Sequence, residues 1–287
     1  MAAGAAMNEG FVRLPAPGKL NLFLHVVGRR DDGYHLLQTV FRFIERADLI
    51  GLRVRDDGQI RRVNEVAGIE PDSDLCVEAA RALRQHAGCA PGVDILVDKT
   101  LPIGGGVGGG SSDAATVLLG LNALWKLKLP RTELQSLAAR IGADVPVFIF
   151  GRNAFAEGIG ERLQAIDLPP AWYLVLVPQV AVSTAEIFSA PELTRNTNAI
   201  TMSPFSVGQG HNDLEPVVCR RYPEVARHLA WLRQFGRAAM TGSGACVFSA
   251  FDSESAARRM LEQLPEGMRG FVTRGLDCHP LYTDEST

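Results

Sequence analysis

No apolar run in the 287-residue chain comes near the ~20 residues needed to cross a bilayer; the longer ones, such as 145–150 and 172–177, span six positions. Cysteine is sparse and badly spaced for a scaffold. Cys76, Cys89, Cys219, Cys246 and Cys278 are odd in number, scattered, and free of any CxxC pair, which argues against a disulfide framework or a structural zinc site. An excess of positive charge is missing too. The net charge is −3, and no stripe interleaves aromatic with basic residues, so a nucleic-acid binder is not expected. The opening MAAGAAMNEG carries no basic residue, unlike a secretory leader, and cytoplasmic residence is the expectation. With 46% hydrophobic and 21% charged residues, the chain has what a full core requires, in one large or two medium domains.

The patterning mixes strands and helices. Residues 12–27 read as a strand, with a turn at Arg30, Asp31, Asp32 and Gly33. Residues 37–45 and 48–55 read as a strand pair joined near Arg46. A helix is predicted over 74–86 with Ser73 as N-cap and Gly88 as its end, followed by a strand at 93–97. Helices follow over 112–125 and 132–141, the latter stopped by Gly142, then strand-like segments at 147–150 and 153–157. The turn Asp167-Leu168-Pro169-Pro170 is the best linker. Beyond it come strands at 172–178, 237–240, 245–251 and 270–274, and helices at 184–188, 223–235 and 253–264. This reads as a split β-α-β layer, with 191–210 a polar loop. The class is therefore α+β, divided at 1–168 and 169–287.

The strongest local signal is Leu101-Pro102-Ile103-Gly104-Gly105-Gly106-Val107-Gly108-Gly109-Gly110-Ser111-Ser112-Asp113. Six of seven residues from 104 to 110 are glycine, between a strand and an amphipathic helix. That arrangement aims backbone N–H groups and a helix N-terminus at one point and suits a phosphate. A flexible linker would instead join domains. No lysine follows the glycines, so the Walker loop is excluded. Gly104, Gly106 and Gly109 satisfy GxGxxG formally. However, the region ~20 positions on holds Lys126, Lys128 and Arg131 rather than a strand ending in an acid, so the dinucleotide fold fails.

Three segments together resemble the GHMP kinases: Pro15-Ala16-Pro17-Gly18-Lys19-Leu20-Asn21-Leu22, the glycine run, and Thr241-Gly242-Ser243-Gly244-Ala245-Cys246-Val247-Phe248. Asp31-Asp32-Gly33-Tyr34-His35, GGGSSDAA and Gly142-Ala143-Asp144-Val145-Pro146 are similar to one branch. That branch phosphorylates the 2-hydroxyl of a cytidine-diphosphate-linked methylerythritol with ATP, in the non-mevalonate isoprenoid pathway. Gly18, Gly105 and Val107 stand where that branch more often has Ala, Ala and Leu; none of these departures removes a functional group.

The resemblance implies a two-lobe fold, with a ribosomal-protein-S5-like N-terminal lobe and a ferredoxin-like C-terminal lobe. It places ATP on Pro102 through Ser112 and makes Asp144 the catalytic base with Lys19 as its partner. Lys19 sits in a strand of apolar and small residues and is costly to bury unless paired, so Asp144 is its simplest partner, with a purely structural salt bridge as the lesser alternative. Magnesium is expected with ATP. Ser112, and with it Ser111, is a candidate ligand or simply an N-cap, and Asp113 faces the ion or favours the helix dipole. His35 is implied to bind the cytosine, with Tyr34 and Phe188 stacking on it, although both Tyr34 and His35 also suit a strand edge. Asn21 shares a strand face with Lys19 and is assigned to the polyol. Thr184 shares a helical face with Phe188, and Gly242 and Ser243 complete the substrate set. The expected partner is this small molecule alone, with no nucleic acid and no membrane, in a monomer or weak homodimer. An RNA-binding module, a catalytically dead nucleotide sensor, and a mevalonate- or homoserine-type kinase are the competing readings. The retained Lys19 and Asp144 disfavour the second, and the DDGYH segment the third.

Overall fold

Sequence alternation over the first thirty residues becomes an 18-residue strand, β1 (Val12–Arg29), buried without interruption from Ala16 to Val26. A strand buried on both faces needs cover on both. The computed structural model describes residues 10–201 and 210–282. The opening segment up to residue 9 and part of the expected 191–210 loop therefore lie outside the described residues. β1 pairs antiparallel with β2 (His35–Arg55) through the Arg30–Gly33 turn, where Gly33 adopts φ +90°. β2 is one strand rather than the pair expected from sequence. Pro17 pairs with Ala47 but Gly18 with Ile44, so Glu45 and Arg46 bulge from an unbroken ladder.

β3 (Ile60–Arg62), β4 (Gly92–Asp98), β5 (Ala154–Gly158) and β6 (Arg162–Ala165) complete this first sheet. All its pairings are antiparallel except β3 with β4. Helices α1 (Leu75–Ala87), α2 (Gly109–Leu124), α3 (Arg131–Ile141) and α4 (Val145–Phe150) bury Leu83, Leu118, Leu137 and Phe148 with Ile50, Leu52 and Ile95 of the sheet.

Two local expectations are corrected. The N-cap of α1 is Asp74, whose carboxylate accepts from Cys76 N at 2.8 Å, while Ser73 bonds back to Glu70. The segment read as a strand at 147–150 is helix α4. Val-Pro-Val-Phe-Ile-Phe is apolar throughout, so periodicity cannot separate strand from helix. Pro146 in its first turn and Gly151 at φ +78°, donating to Val147 O, decide for helix.

The second half contributes β7 (Trp172–Leu176), β8 (Ala238–Met240), β9 (Val247–Phe251) and β10 (Gly270–Leu276) in the antiparallel order β10-β7-β9-β8. α5 (Thr184–Ser189), α6 (Glu215–Arg221), α7 (Pro223–Leu232) and α8 (Glu254–Leu261) accompany them. β3, β6 and α6 were not foreseen. The end of β10 pairs with Ile44 and Phe43 of β2, which joins both sheets into one ten-stranded ladder. Leu20, Val40, Leu101, Val107, Tyr173 and Phe248 pack into a shared cluster there. The fold is the α+β class expected. Among the described residues no helix is long and apolar enough to cross a membrane.

Candidate active site

The glycine run links β4 to α2 with Gly104, Gly106 and Gly108 at φ +68°, +74° and +73°. Its carbonyls are tied back into the protein. Gly105 O accepts from Cys246 N at 3.1 Å, Gly106 O from Lys19 Nζ and Thr241 Oγ1 at 3.2 Å each, and Val107 O from Lys19 N at 2.9 Å. With the carbonyls held, the amides at the start of α2 are left without intrahelical partners. They and the helix dipole make an anion cradle. A Cβ on Gly106 would overlap Thr241 O, so the close approach demands glycine.

The start of the loop is anchored separately. Asp48, fully buried on β2, accepts from Thr100 N at 2.5 Å and Leu101 N at 2.8 Å and pairs with Lys99. Lys99 also reaches Asp113 at 2.7 Å. Burial, opposed by Lys99 and reinforced by Asp48, pushes the Asp113 carboxyl up to about 7.

A cavity of about 480 Å³ opens in front of the loop. It gathers Lys19, Asn21, Pro102, Ile103, Gly104, Gly105, Gly106, Gly108, Gly109, Gly110, Ser111, Asp144, Thr184, Phe188, Gly242 and Ser243 of the residues singled out in the sequence. Val107 and Ser112 do not line it. Val107 turns into the core, and Ser112 is fully buried with no hydrogen-bond partner for its Oγ. Neither serine is an N-cap, because α2 begins at Gly109 and Gly108 occupies the cap.

Lys19 Nζ lies 3.1 Å from Asp144 Oδ2, 2.6 Å from Asn21 Oδ1 and 5.4 Å from the centre of the Phe41 ring. The lysine side chain is 2% exposed and the aspartate 39%, so the pair presents its carboxylate to the cavity. Asp144 stands at the N-terminus of α4, not at the helix-to-strand turn implied by the sequence. Thr184 Oγ1 and Ser243 Oγ are 2.6 Å apart.

An adjoining slot of about 510 Å³ shares Leu37, Ala143, Ile159 and Phe188 with the first cavity and adds Arg29, Tyr34 and His35. Phe188 lies 5.1 Å from the His35 ring at 37°, while Tyr34 is 60% exposed. Burial, then the charges of Arg195 and Arg29, lowers the His35 pKa and keeps the ring neutral near pH 7.

Residues missed in the sequence hold these groups. Thr241 Oγ1 accepts from Asn21 N at 3.0 Å while donating to Gly106 O, and so joins β1, the glycine loop and the third motif. Asn212 Nδ2 donates to Met240 O at 2.9 Å and Gly242 O at 2.8 Å. Thr241 was flagged only as part of its motif, and Asn212 carries no sequence signal beyond an Asn-Asp pair before a helix.

A glycine cradle facing a lysine–aspartate pair across a two-part cleft agrees with the GHMP kinase resemblance of the motifs that supply it. The GHMP kinases N terminal domain matches residues 74–152 and the GHMP kinases C terminal region residues 198–270. A 4-diphosphocytidyl-2-C-methyl-D-erythritol kinase of Thiobacillus denitrificans is 66% identical over 276 residues, covering 96% of this chain and 98% of the relative. One of Nitrosospira multiformis is 61% identical over 271 residues, covering 93% and 92%. The crystal structure of a 4-(cytidine 5'-diphospho)-2C-methyl-D-erythritol kinase superposes with a TM-score of 0.78 at 34% identity, over 92% of this chain and all of that one. A mevalonate kinase superposes at 0.71 with 16% identity, over 93% of this chain and 99% of that one, which is a likeness of fold. The chain belongs to the 4-diphosphocytidyl-2-C-methyl-D-erythritol kinase family of the GHMP kinases.

Proposed function

We propose that the chain transfers the γ-phosphoryl group of ATP to the 2-hydroxyl of 4-diphosphocytidyl-2-C-methyl-D-erythritol, giving ADP and the 2-phosphate, in the non-mevalonate isoprenoid pathway. The observation that carries this reading is the Lys19–Asp144 pair, 3.1 Å apart, in the cavity that runs from the glycine cradle to the aromatic slot. Asp144 takes the proton of the attacking hydroxyl as the new O–P bond forms and the bond to the ADP oxygen breaks. Lys19 holds the carboxylate in place and offsets charge on the transferring group. The amides of 104–111 hold the phosphates, and apolar Pro102 and Ile103 border the nucleotide. The slot holds the cytosine between Tyr34 and Phe188 with His35 at its edge. Asn21, Thr184, Gly242 and Ser243 line the path of the polyol between the two pockets.

Among the described residues no cluster of three acidic, histidine or cysteine side chains forms a metal cage. A magnesium ion fits here as one carried mainly by the nucleotide's phosphates, with Ser111, which lines the cavity, as the protein hydroxyl that would hold it; Ser112, the hydroxyl expected from the sequence, is fully buried and does not line the cavity. Its chemistry is neutralisation of phosphate charge. The reading includes lobes at 1–168 and 169–287, a monomer or weak homodimer, and residence in the cytoplasm. Coupled ADP release with the cytidine-linked alcohol, mevalonate and homoserine is the test. Turnover confined to the first supports the reading, and turnover of either other alcohol at comparable kcat/KM sinks it.

A further inference from the structure

Arg195 stands between α5 and α6, outside every motif in the sequence. Its guanidinium makes four hydrogen bonds. One terminal nitrogen donates to Phe188 O at 3.0 Å and Ala190 O at 2.7 Å, the other to Leu193 O at 3.0 Å, and Nε to His35 Nε2 at 3.0 Å. Three carbonyls, at the C-terminal end of α5 and in the turn that follows it, thus fix the planar fork, which no other side chain could copy from one position. The fourth bond crosses to the opposite wall of the base slot.

A guanidinium only donates. His35 Nε2 is therefore the acceptor and bears no hydrogen, and the single proton of the neutral imidazole resides on Nδ1. The bond to Arg195 through Nε2 is the one side-chain hydrogen bond of His35 among the described residues, and the ring lines the slot.

We propose that Arg195 is a specificity-determining positioning residue. By fixing His35 as the Nδ1–H tautomer it makes the imidazole a donor and not an acceptor toward the slot, which selects a pyrimidine whose N3 accepts a hydrogen bond over one whose N3 carries a hydrogen. This rests on the cytidine-linked substrate proposed above. Cytosine N3 accepts from such a donor, whereas uracil N3–H meets it head-on. The ring cannot escape by shifting its proton, because Nε2–H would then face the guanidinium N–H. Arg195 also seats Phe188 through its carbonyl. That contribution serves both bases equally, so a change in the ratio of the two is the signature of the tautomer rather than of packing.

The test uses the full chain with cytidine- and uridine-diphosphate-linked methylerythritol, together with ¹⁵N NMR of the His35 ring. The wild type should show bare Nε2 and protonated Nδ1 and should prefer cytidine by about a hundredfold or more in kcat/KM, the scale on which an unmatched buried polar group is rejected. Arg195→Met should raise KM for both substrates, narrow the preference by at least about tenfold, leave KM for ATP in place and return the ring to a tautomer mixture. Arg195→Lys, which keeps the charge without the fork, should fall between. His35→Asn, whose amide can turn either face to the base, should narrow the preference with Arg195 intact. A preference that survives Arg195→Met within twofold, or a wild-type ring protonated on Nε2, overturns the proposal. A wild type that phosphorylates neither substrate overturns the functional reading instead, while the ring spectrum still decides the Arg195–His35 bond.

Discussion

Replacing Asp144 by Asn removes the charge that faces Lys19 while keeping the side chain's size. At 3.1 Å the pair attracts by ~5 kcal/mol at an effective dielectric of 20 and by ~1.3 kcal/mol in bulk water. The 39% exposure of Asp144 puts the value nearer the lower figure, and Lys19 keeps Asn21 Oδ1 and Gly106 O as acceptors. The stability loss should therefore be about 2 kcal/mol, below the ~3–5 kcal/mol typical when a wholly buried pair is broken. Against ~5–15 kcal/mol of total stability, the variant stays folded. As general base, Asp144 should account for a ~10²–10⁴-fold loss of kcat, which unfolding cannot mimic at that stability. The converse variant Lys19→Met leaves a half-hydrated carboxylate but strands the buried Asn21 Oδ1, so it should lose about 1–3 kcal/mol of stability and stay folded while kcat falls similarly. The double variant should be little worse than either single one, as groups acting together behave. Coupled ADP release, KM for ATP and thermal melts on the three proteins provide the data. A folded Asp144→Asn enzyme with near-wild-type kcat would refute the assignment, and additive losses would refute the coupling.

Gly106→Ala should raise KM for ATP by more than tenfold, since its φ is +74° and its Cβ overlaps Thr241 O, whereas Gly104→Ala meets no atom within 4 Å and should bear only the ~1–2 kcal/mol strain of left-handed backbone. Calorimetric titration with a non-hydrolysable ATP analogue would reverse this ranking if the loop carbonyl contacts do not matter. Burial lowers the His279 pKa from 6.5 to about 3, so the unfolded chain binds a proton there that the folded chain does not. This contribution to stability is complete above pH ~6.5 and is lost as pH falls toward 3, at up to ~1.4 kcal/mol per pH unit. His279→Asn, which still offers an acceptor to Leu281 N, should flatten the fall of the urea midpoint between pH 6 and 5, and an unchanged slope would exclude His279 as its source. Asp74→Ala should cost about 3–5 kcal/mol, because it removes the cap of α1 and strands the buried Arg62 that pairs with it at 2.6 Å. A urea midpoint shift equivalent to less than ~1 kcal/mol would show that Arg62 is satisfied by Asn64 O and Ile69 O alone.

What could be read before folding was whatever side-chain chemistry writes locally. Glycines at 104, 106 and 108 announce positive φ, and Lys19 in an apolar strand announces a partner. The resemblance of the motifs named Asp144 as that partner, and the contact closes across 125 positions of chain. The failures have equally local causes. Residues 145–150 are apolar on every side, so neither period shows, and only Pro146 and Gly151 carried the answer. Ser73 and Asp74 are both good caps, and the choice fell to Asp74 because its carboxylate also meets Arg62. Arg195, Asn212 and Thr241 spend most of their side-chain hydrogen bonds on main-chain groups. Every residue has such groups, so the sequence around these three holds no complementary partner to find.

The same bookkeeping explains how a run of glycines can be a fixed site. The loop has almost no side chains with which to hold itself, and glycine loses the most backbone freedom on ordering. Beside the contacts from Thr241 and Cys246, its restraints come from the two long central strands. Asp48 of β2 captures the amides of Thr100 and Leu101 at its entry, and Lys19 of β1 captures the carbonyls of Gly106 and Val107, one through its ammonium and one through its backbone. Both are charges buried where a hydrophobic residue would cost less, and each is tolerated because a counter-charge stands beside it, Lys99 for Asp48 and Asp144 for Lys19. Departures from core patterning of this kind mark functional positions. Here they set the cradle before any phosphate arrives, so that binding need not order the loop and the ammonium that steadies Gly106 O is the one that orients Asp144.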